Sequence, residues 1–156
     1  MSAPASIHAF LGEARVPYTV VPHQTAFTAQ EEAAAMHVPG RDWAKVVICV
    51  ADEKPIQAVL PAPLVVNLDR LSALAGATSI RFALEHELRV LFPDCEAGAM
   101  PPLGPLYRQL VFVDERLTKD ERIAFNAGTY ANAIQMRYAD FAAITHPVVG
   151  NFARLR

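Results

Sequence analysis

Cysteine is scarce, with two in 156 residues. Cys49 lies in an apolar run and Cys95 in a polar stretch, outside any CxxC or Cys/His spacing, so neither a disulfide framework nor a zinc site is indicated. The five histidines add no metal-ligand spacing, and His86-Glu87 lacks the second histidine of HExxH. No apolar run approaches the ~20 residues of a membrane-spanning helix. The N-terminus has no basic stretch followed by an apolar one, which leaves the cytoplasm as the expected compartment. GxSxG, P-loop and GxGxxG motifs are all absent, so no serine nucleophile elbow or phosphate-cradling glycine loop is on offer. An excess of positive charge is missing too: fourteen Lys and Arg against sixteen Asp and Glu give −2. That balance argues against a DNA-binding protein that holds a duplex through many phosphate contacts, while contact with a short stretch of RNA stays open.

What is present is apolar surface. Hydrophobic residues make up 53% and charged residues 19%, with mean hydropathy +0.19, enough to bury one core and exclude disorder. The length fits one domain, 1–156. Ile7, Phe10, Leu11 and Ala14 recur at helical spacing within Ser6 to Arg15, and Val16-Pro17 ends that helix. Tyr18 to Val21 reads as a short strand. Thr28-Ala-Gln-Glu31 is a capping-box pattern opening a helix that runs to His37. Trp43 to Val50 and Ile56 to Leu60 are β-prone and flank Asp52-Glu53-Lys54-Pro55, a predicted hairpin. Asn67 or Asp69 caps a helix through Leu74 that Gly76 closes; Ser79 to Phe82 is a strand and Ala83 to Leu91 a helix. Ala97 to Pro105 holds too many Gly and Pro residues for regular structure. Strands follow at Tyr107 to Val113, Ala124 to Ala127 and Ala133 to Met136, then a helix at Tyr138 to Ala143. The last ~8 residues, past His146-Pro147, read as a loose tail. The expected fold class is mixed α/β, a central, mostly antiparallel mixed sheet flanked by helices.

Two segments stand out. Lys45 is one of three lysines and interrupts Trp43-Ala-Lys-Val-Val-Ile-Cys-Val, a run that otherwise reads as buried on both faces. Its stem either snorkels at a strand end, or its ammonium meets a phosphate or carbonyl oxygen. Gly98-Ala-Met-Pro-Pro102-Leu-Gly104 is a rigid loop whose prolines fix φ and whose Gly98 permits close approach of the backbone; it is either a plain connection or a platform for a ligand. Gly128-Thr129-Tyr130 forms a turn between two predicted strands, and His23 is the histidine placed to reach a site.

In order, His23, Phe27-Thr28-Ala-Gln-Glu-Glu-Ala-Ala, Ala44-Lys45-Val-Val, Gly98-x-x-x-Pro102-Leu-Gly and Phe125-Asn-Ala-Gly128-Thr resemble the YbaK/prolyl-tRNA synthetase editing-domain family over nearly the whole chain. The resemblance implies a trans-editing aminoacyl-tRNA deacylase that needs no cofactor and no metal. Its partners would be the acceptor end of an aminoacyl-tRNA and, beyond it, a synthetase, with no membrane involved. The family lysine that holds the acceptor end maps onto Lys45, and the GxxxP loop that orients the aminoacyl group maps onto Gly98 and Pro102. Water, assisted by a ribose hydroxyl, then attacks the ester without a protein nucleophile. The resemblance further implies that Phe27, Thr28, Val47 and Met100 line a small amino-acid pocket, with His23, Gly128, Thr129 and Tyr130 beside it. Editing of this kind is needed because one methylene separates substrates by only about 1–3 kcal/mol. Many members carry histidine near the position of Tyr130, a departure that bears on which amino acid is removed. Arg41, Lys45, Arg81 and Arg108 would supply local positive charge for a weak, salt-sensitive contact with tRNA. A binding module of the same fold that holds its ligand without hydrolysis is the alternative, and a hydrolase of other small acyl esters is a third.

Overall fold

The computed structural model describes residues 3–22 and 38–156. Helix α1 (Ala5–Ala14) buries Ile7 and Leu11, one helical turn apart as the spacing predicts, and ends at Arg15 in the left-handed region. β1 (Thr19–Pro22) pairs antiparallel with β8 (Asn132–Arg137), which pairs antiparallel with β7 (Arg122–Asn126). Among the described residues a larger sheet has five strands, built outward from a central hairpin. Its centre is the expected hairpin, β2 (Ala44–Ala51) and β3 (Lys54–Pro61), joined at Asp52 and Glu53 with φ of 47° and 71°. Two positive φ values are what a two-residue turn needs to match strand twist, and they are uncommon without glycine. Asp52 is held in place by its carboxylate, which accepts from the amides of Thr78 and Ser79 at 3.1 and 2.9 Å.

β5 (Ile80–Phe82) pairs antiparallel with the end of β2, while β6 (Leu110–Asp114) and β9 (Val148–Gly150) extend the other side in parallel. Trp43 bridges to Ala124, stitching the two sheets together. Helix α2 (Leu68–Ala75) begins at Asn67, whose side chain accepts from the Arg70 amide, and stops at Gly76 with φ 65°, so the expected caps stand where they were read. Helix α3 (Glu85–Leu91) starts two residues later than expected because the Glu87 carboxylate caps the Leu84 amide at 2.8 Å. Helix α4 is Tyr138–Thr145. The helix expected at Thr28 to His37 lies outside the described residues. The fold is mixed α/β with mostly antiparallel pairs, as expected.

Two expectations need correction. The strand read from Tyr107 begins at Leu110, because Gly104–Tyr107 winds into a 3-10 turn and Arg108 takes a left-handed φ of 59°. The residues after His146-Pro147 are not loose. They form β9 and then β10 (Ala153–Arg154), which pairs with β4 (Val65–Val66) around a fully buried Phe152. Their anchor is Asp114, itself fully buried, whose carboxylate accepts from the amides of Phe152 and Ala153 at 3.1 and 2.8 Å and from Arg116 at 3.1 Å. Such charge-assisted bonds to a buried carboxylate are what offset its desolvation.

One apolar cluster joins α1, β6, β7, β8 and α4 through Ile7, Leu11, Val111, Val113, Phe125 and Phe141. A second lies on the other face of the hairpin, where Cys49, Ala58 and Leu60 pack with Leu71 and Phe152.

Candidate functional site

Alternation along β2 sends Lys45, Val47 and Cys49 to one face and Val46 and Ile48 to the other. On the first face Lys45 and Val47 line a cleft of about 550 Å³ with Val65, Val66, Phe82, Arg154 and Arg156. The Lys45 ammonium is half-buried and donates to the Leu64 carbonyl. Burial, with the nearby Arg156 charge adding to it, lowers its pKa from the ordinary lysine value. Among the described residues no carboxylate lies within ion-pair distance of Lys45, Arg154 or Arg156. A cation disfavoured by desolvation and by like charge regains stability when an anion enters, so the chemistry of the cleft suits negative charge. Val47 joins it as its position on the strand requires.

The opposite face carries the glycine–proline loop. Met100 is buried with Val46, Ile48 and Phe92, and Pro102 is buried beside it. Gly98 stays exposed at φ 91°, with its amide 3.0 Å from the Met100 sulfur. The loop is fastened to the turn after β7: Gly128 donates to Ala99 and Glu96 to Gly128, at 2.9 and 2.8 Å. The Tyr130 hydroxyl donates to the Ala97 carbonyl and lies so close over Gly98 that a Cβ there would meet it at 2.2 Å. Glycine is therefore required at position 98 by both its φ and its neighbour. The Tyr130 amide donates to the Glu96 carboxylate at 3.2 Å. Below the loop the buried Gln57 donates to Gln109 at 3.1 Å and reaches the Pro101 carbonyl at 3.5 Å.

The structure thus brings Gly98, Gly128 and Tyr130 together, and separately Lys45 with Val47, on opposite faces of β2. Thr129 is buried, its hydroxyl accepting from Asn132 and Ala131 to shape the turn. Met100 serves as core beneath the loop. His23, Phe27 and Thr28 lie outside the described residues. Of the arginines expected to supply positive charge, Arg81 is held by Glu87 at 2.7 Å and Arg41 leans toward Asp42 at 3.8 Å. Phe82, Arg154 and Arg156 were not read as site residues. The period-two spacing of Arg154 and Arg156, which puts both arginines on one face of an extended chain, carried the signal, but it fell in the segment read as a tail. Among the described residues no three His, Cys, Asp or Glu side chains gather as a metal site, and no helix is long and apolar enough to cross a membrane.

The described residues define a mixed α/β domain that offers a cationic cleft and, on the other face of β2, a glycine-kinked backbone loop. Comparison with known proteins supplies the family. The family model for the aminoacyl-tRNA editing domain matches residues 23–144, and the chain belongs to that family. It is 25% identical over 152 residues to the Multifunctional Ser/Thr-tRNA deacylase ProXp-y of Escherichia coli (strain K12), covering 94% of this chain and 90% of that one. The protein of the same name from Escherichia coli O157:H7 matches to the same extent. Among solved structures, one described as a candidate trans-editing enzyme for prolyl tRNA synthetase superposes with a TM-score of 0.85 at 20% identity, over 98% of this chain and 99% of that one.

Proposed function

We propose that this chain is a free-standing aminoacyl-tRNA deacylase that hydrolyses the ester linking a small amino acid to a mischarged tRNA. The family match across residues 23–144 carries the proposal, because that span holds Lys45, Gly98, Pro102 and the Gly128 turn. The half-buried Lys45 ammonium, short of an anion, is suited to a phosphate of the acceptor end. The loop from Gly98 to Pro102, pinned by Tyr130 and Gly128, offers a fixed backbone against which the aminoacyl carbonyl can be oriented. Water adds to that carbonyl carbon, the bond to the ribose oxygen breaks, and the ribose oxygen leaves as a hydroxyl with a proton drawn from the water. Positioning and oriented backbone dipoles supply the rate, so no protein nucleophile is invoked.

Because Lys45 and the loop face opposite ways, the acceptor end must cross the edge of β2. β5 covers that edge only from Cys49 to Ala51, with one further bond from Ala83 to Ile48. The N-terminal half of β2, between Phe82 and the Trp43 bridge, is the natural crossing. Serine and threonine are the first amino acids to test, given the name of the Escherichia coli relative, and prolyl-tRNA synthetase is the first synthetase to test as a partner. A cytoplasmic location follows from such a substrate.

The reading is tested by multiple-turnover deacylation of tRNAs charged with serine, threonine, alanine, cysteine and proline, with wild type beside Lys45→Ala. Release of amino acid beyond the enzyme concentration, lost at least tenfold in the variant, is expected. Tyr130, closed over Gly98, favours one other reading: a module that binds the charged end and protects it. Slower hydrolysis in the presence of wild type would establish that module and overturn the deacylase.

A further inference from the structure

The Lys45 cleft is one end of a longer groove. A second hollow of about 310 Å³, lined by Val66, Asn67, Leu68, Asp69, Phe82 and Arg154, shares Val66, Phe82 and Arg154 with it. The groove therefore runs from Lys45 past Phe82 toward the start of α2, with Arg154 common to both hollows and Arg156 at the Lys45 end. Phe82 is 46% exposed, an aromatic ring left in solvent beside cations. A ring on which a base can stack and cations that meet phosphates are the two components of single-strand recognition, and this groove holds one of the first, Phe82, beside Lys45, Arg154 and Arg156.

From this we infer that Phe82, Arg154 and Arg156 form a subsite for the unpaired nucleotides that precede the terminal adenosine of tRNA, Phe82 stacking on a base and the two arginines binding backbone phosphates. The inference rests on the deacylase reading for its substrate and extends it by assigning a task to the C-terminal strand. The architecture supports that task. β10 is clamped to the core through Asp114 and paired to β4, so Arg154, which is exposed, is presented from a fixed backbone. Its guanidinium is steadied by the Leu155 carbonyl at 2.9 Å.

The test is binding of a labelled single-stranded oligoribonucleotide ending in CCA, and of uncharged tRNA, measured by anisotropy across a salt series. Wild type should bind both with a salt-dependent affinity. Arg154→Ala/Arg156→Ala should weaken binding at least tenfold and reduce the salt slope by about 1.4, from roughly 0.7 per phosphate on a single strand. Phe82→Leu should weaken it at least fivefold and Phe82→Trp should restore it, a pattern that a purely structural role for the ring would not produce. Arg89→Ala, on exposed α3, is the charge control and should bind as wild type. In deacylation the paired arginine variant should raise KM and spare kcat. Absence of binding by wild type, an unchanged salt slope in the double variant, or equal losses from Arg89→Ala each overturn the subsite. Because the RNA used for binding carries no ester, the two proposals fail separately. Arginine-dependent binding without hydrolysis sinks the deacylase alone, and hydrolysis with unchanged binding in the double variant sinks the subsite alone.

Discussion

Replacing Gly98 by alanine should do two separable things. At φ 91° an alanine is in a region that costs an L-residue about 1–2 kcal/mol. Its Cβ would also stand 2.2 Å from the Tyr130 hydroxyl and 3.4 Å from the ring carbon that bears it. The hydroxyl must move, and in moving it gives up its bond to the Ala97 carbonyl, about 1 kcal/mol for a neutral pair. Gly98→Ala should therefore destabilise by about 2–3 kcal/mol in all. Tyr130→Phe alone should cost about 1 kcal/mol, since it removes the bond and leaves the ring in place. In the double variant the lost bond is counted once beside the backbone cost, about 2–3 kcal/mol together, so it should be about 1 kcal/mol more stable than the sum of the single changes implies. Urea unfolding of the four proteins, followed by tryptophan fluorescence and by circular dichroism, gives the cycle. Strictly additive losses would refute the claimed contact between residues 98 and 130. A Gly98→Ala protein as stable as wild type would refute the backbone argument as well.

The Asp120 carboxyl is pushed up to about 6, first by burial and then by the facing Asp42 carboxylate, with Arg41 opposing. The folded protein thus binds this proton more tightly than the unfolded chain does, so the site's contribution to stability falls as pH rises from about 4 through 6 and stays lost above that. With allowance for solvent screening the loss is about 1 kcal/mol. Asp120→Asn should flatten that part of the stability profile, and an unchanged slope between pH 4 and 7 in chemical denaturation would show the site to be incidental. Gln57 and Gln109 bond to each other in the core, yet the Gln57 carbonyl and the Gln109 amide nitrogen lack partners among the described residues. Gln57→Leu should cost about 1–3 kcal/mol by orphaning Gln109, whereas Gln57→Leu/Gln109→Leu should cost less than the single change, as thermal melts can decide.

Legibility in the sequence followed the range of the interaction. Helix α1, the β2–β3 hairpin and the caps of α2 depend on residues within a turn of one another, and Ile7, Asp52, Asn67 and Gly76 announced them. The start of α3 was missed by two residues because its cap is the Glu87 side chain reaching back to Leu84, a bond that a scan for Ser, Thr, Asp or Asn at the first position does not find. Lys45, Gly98 and Pro102 were singled out because each is anomalous in its own segment. That they lie on opposite faces of β2 was not visible, since motif order says nothing about which side of a sheet a later loop packs against. The end of the chain was misread for a related reason: Val148-Val149-Gly150-Asn151-Phe152-Ala153 is too short and irregular to announce two strands, and the amide of Phe152 is held by Asp114, thirty-eight positions away.

That distant carboxylate has a consequence for anyone mapping this protein by mutation. Asp114 touches neither the cleft nor the loop, yet it holds the backbone from which Arg154 projects. In a screen scored by function, losses at Asp114 would cluster with losses at the arginines and invite a shared label. The two kinds of defect differ in their cure. A protein lacking the Asp114 carboxylate should regain function on cooling or in a stabilising osmolyte, whereas one lacking the guanidiniums should not.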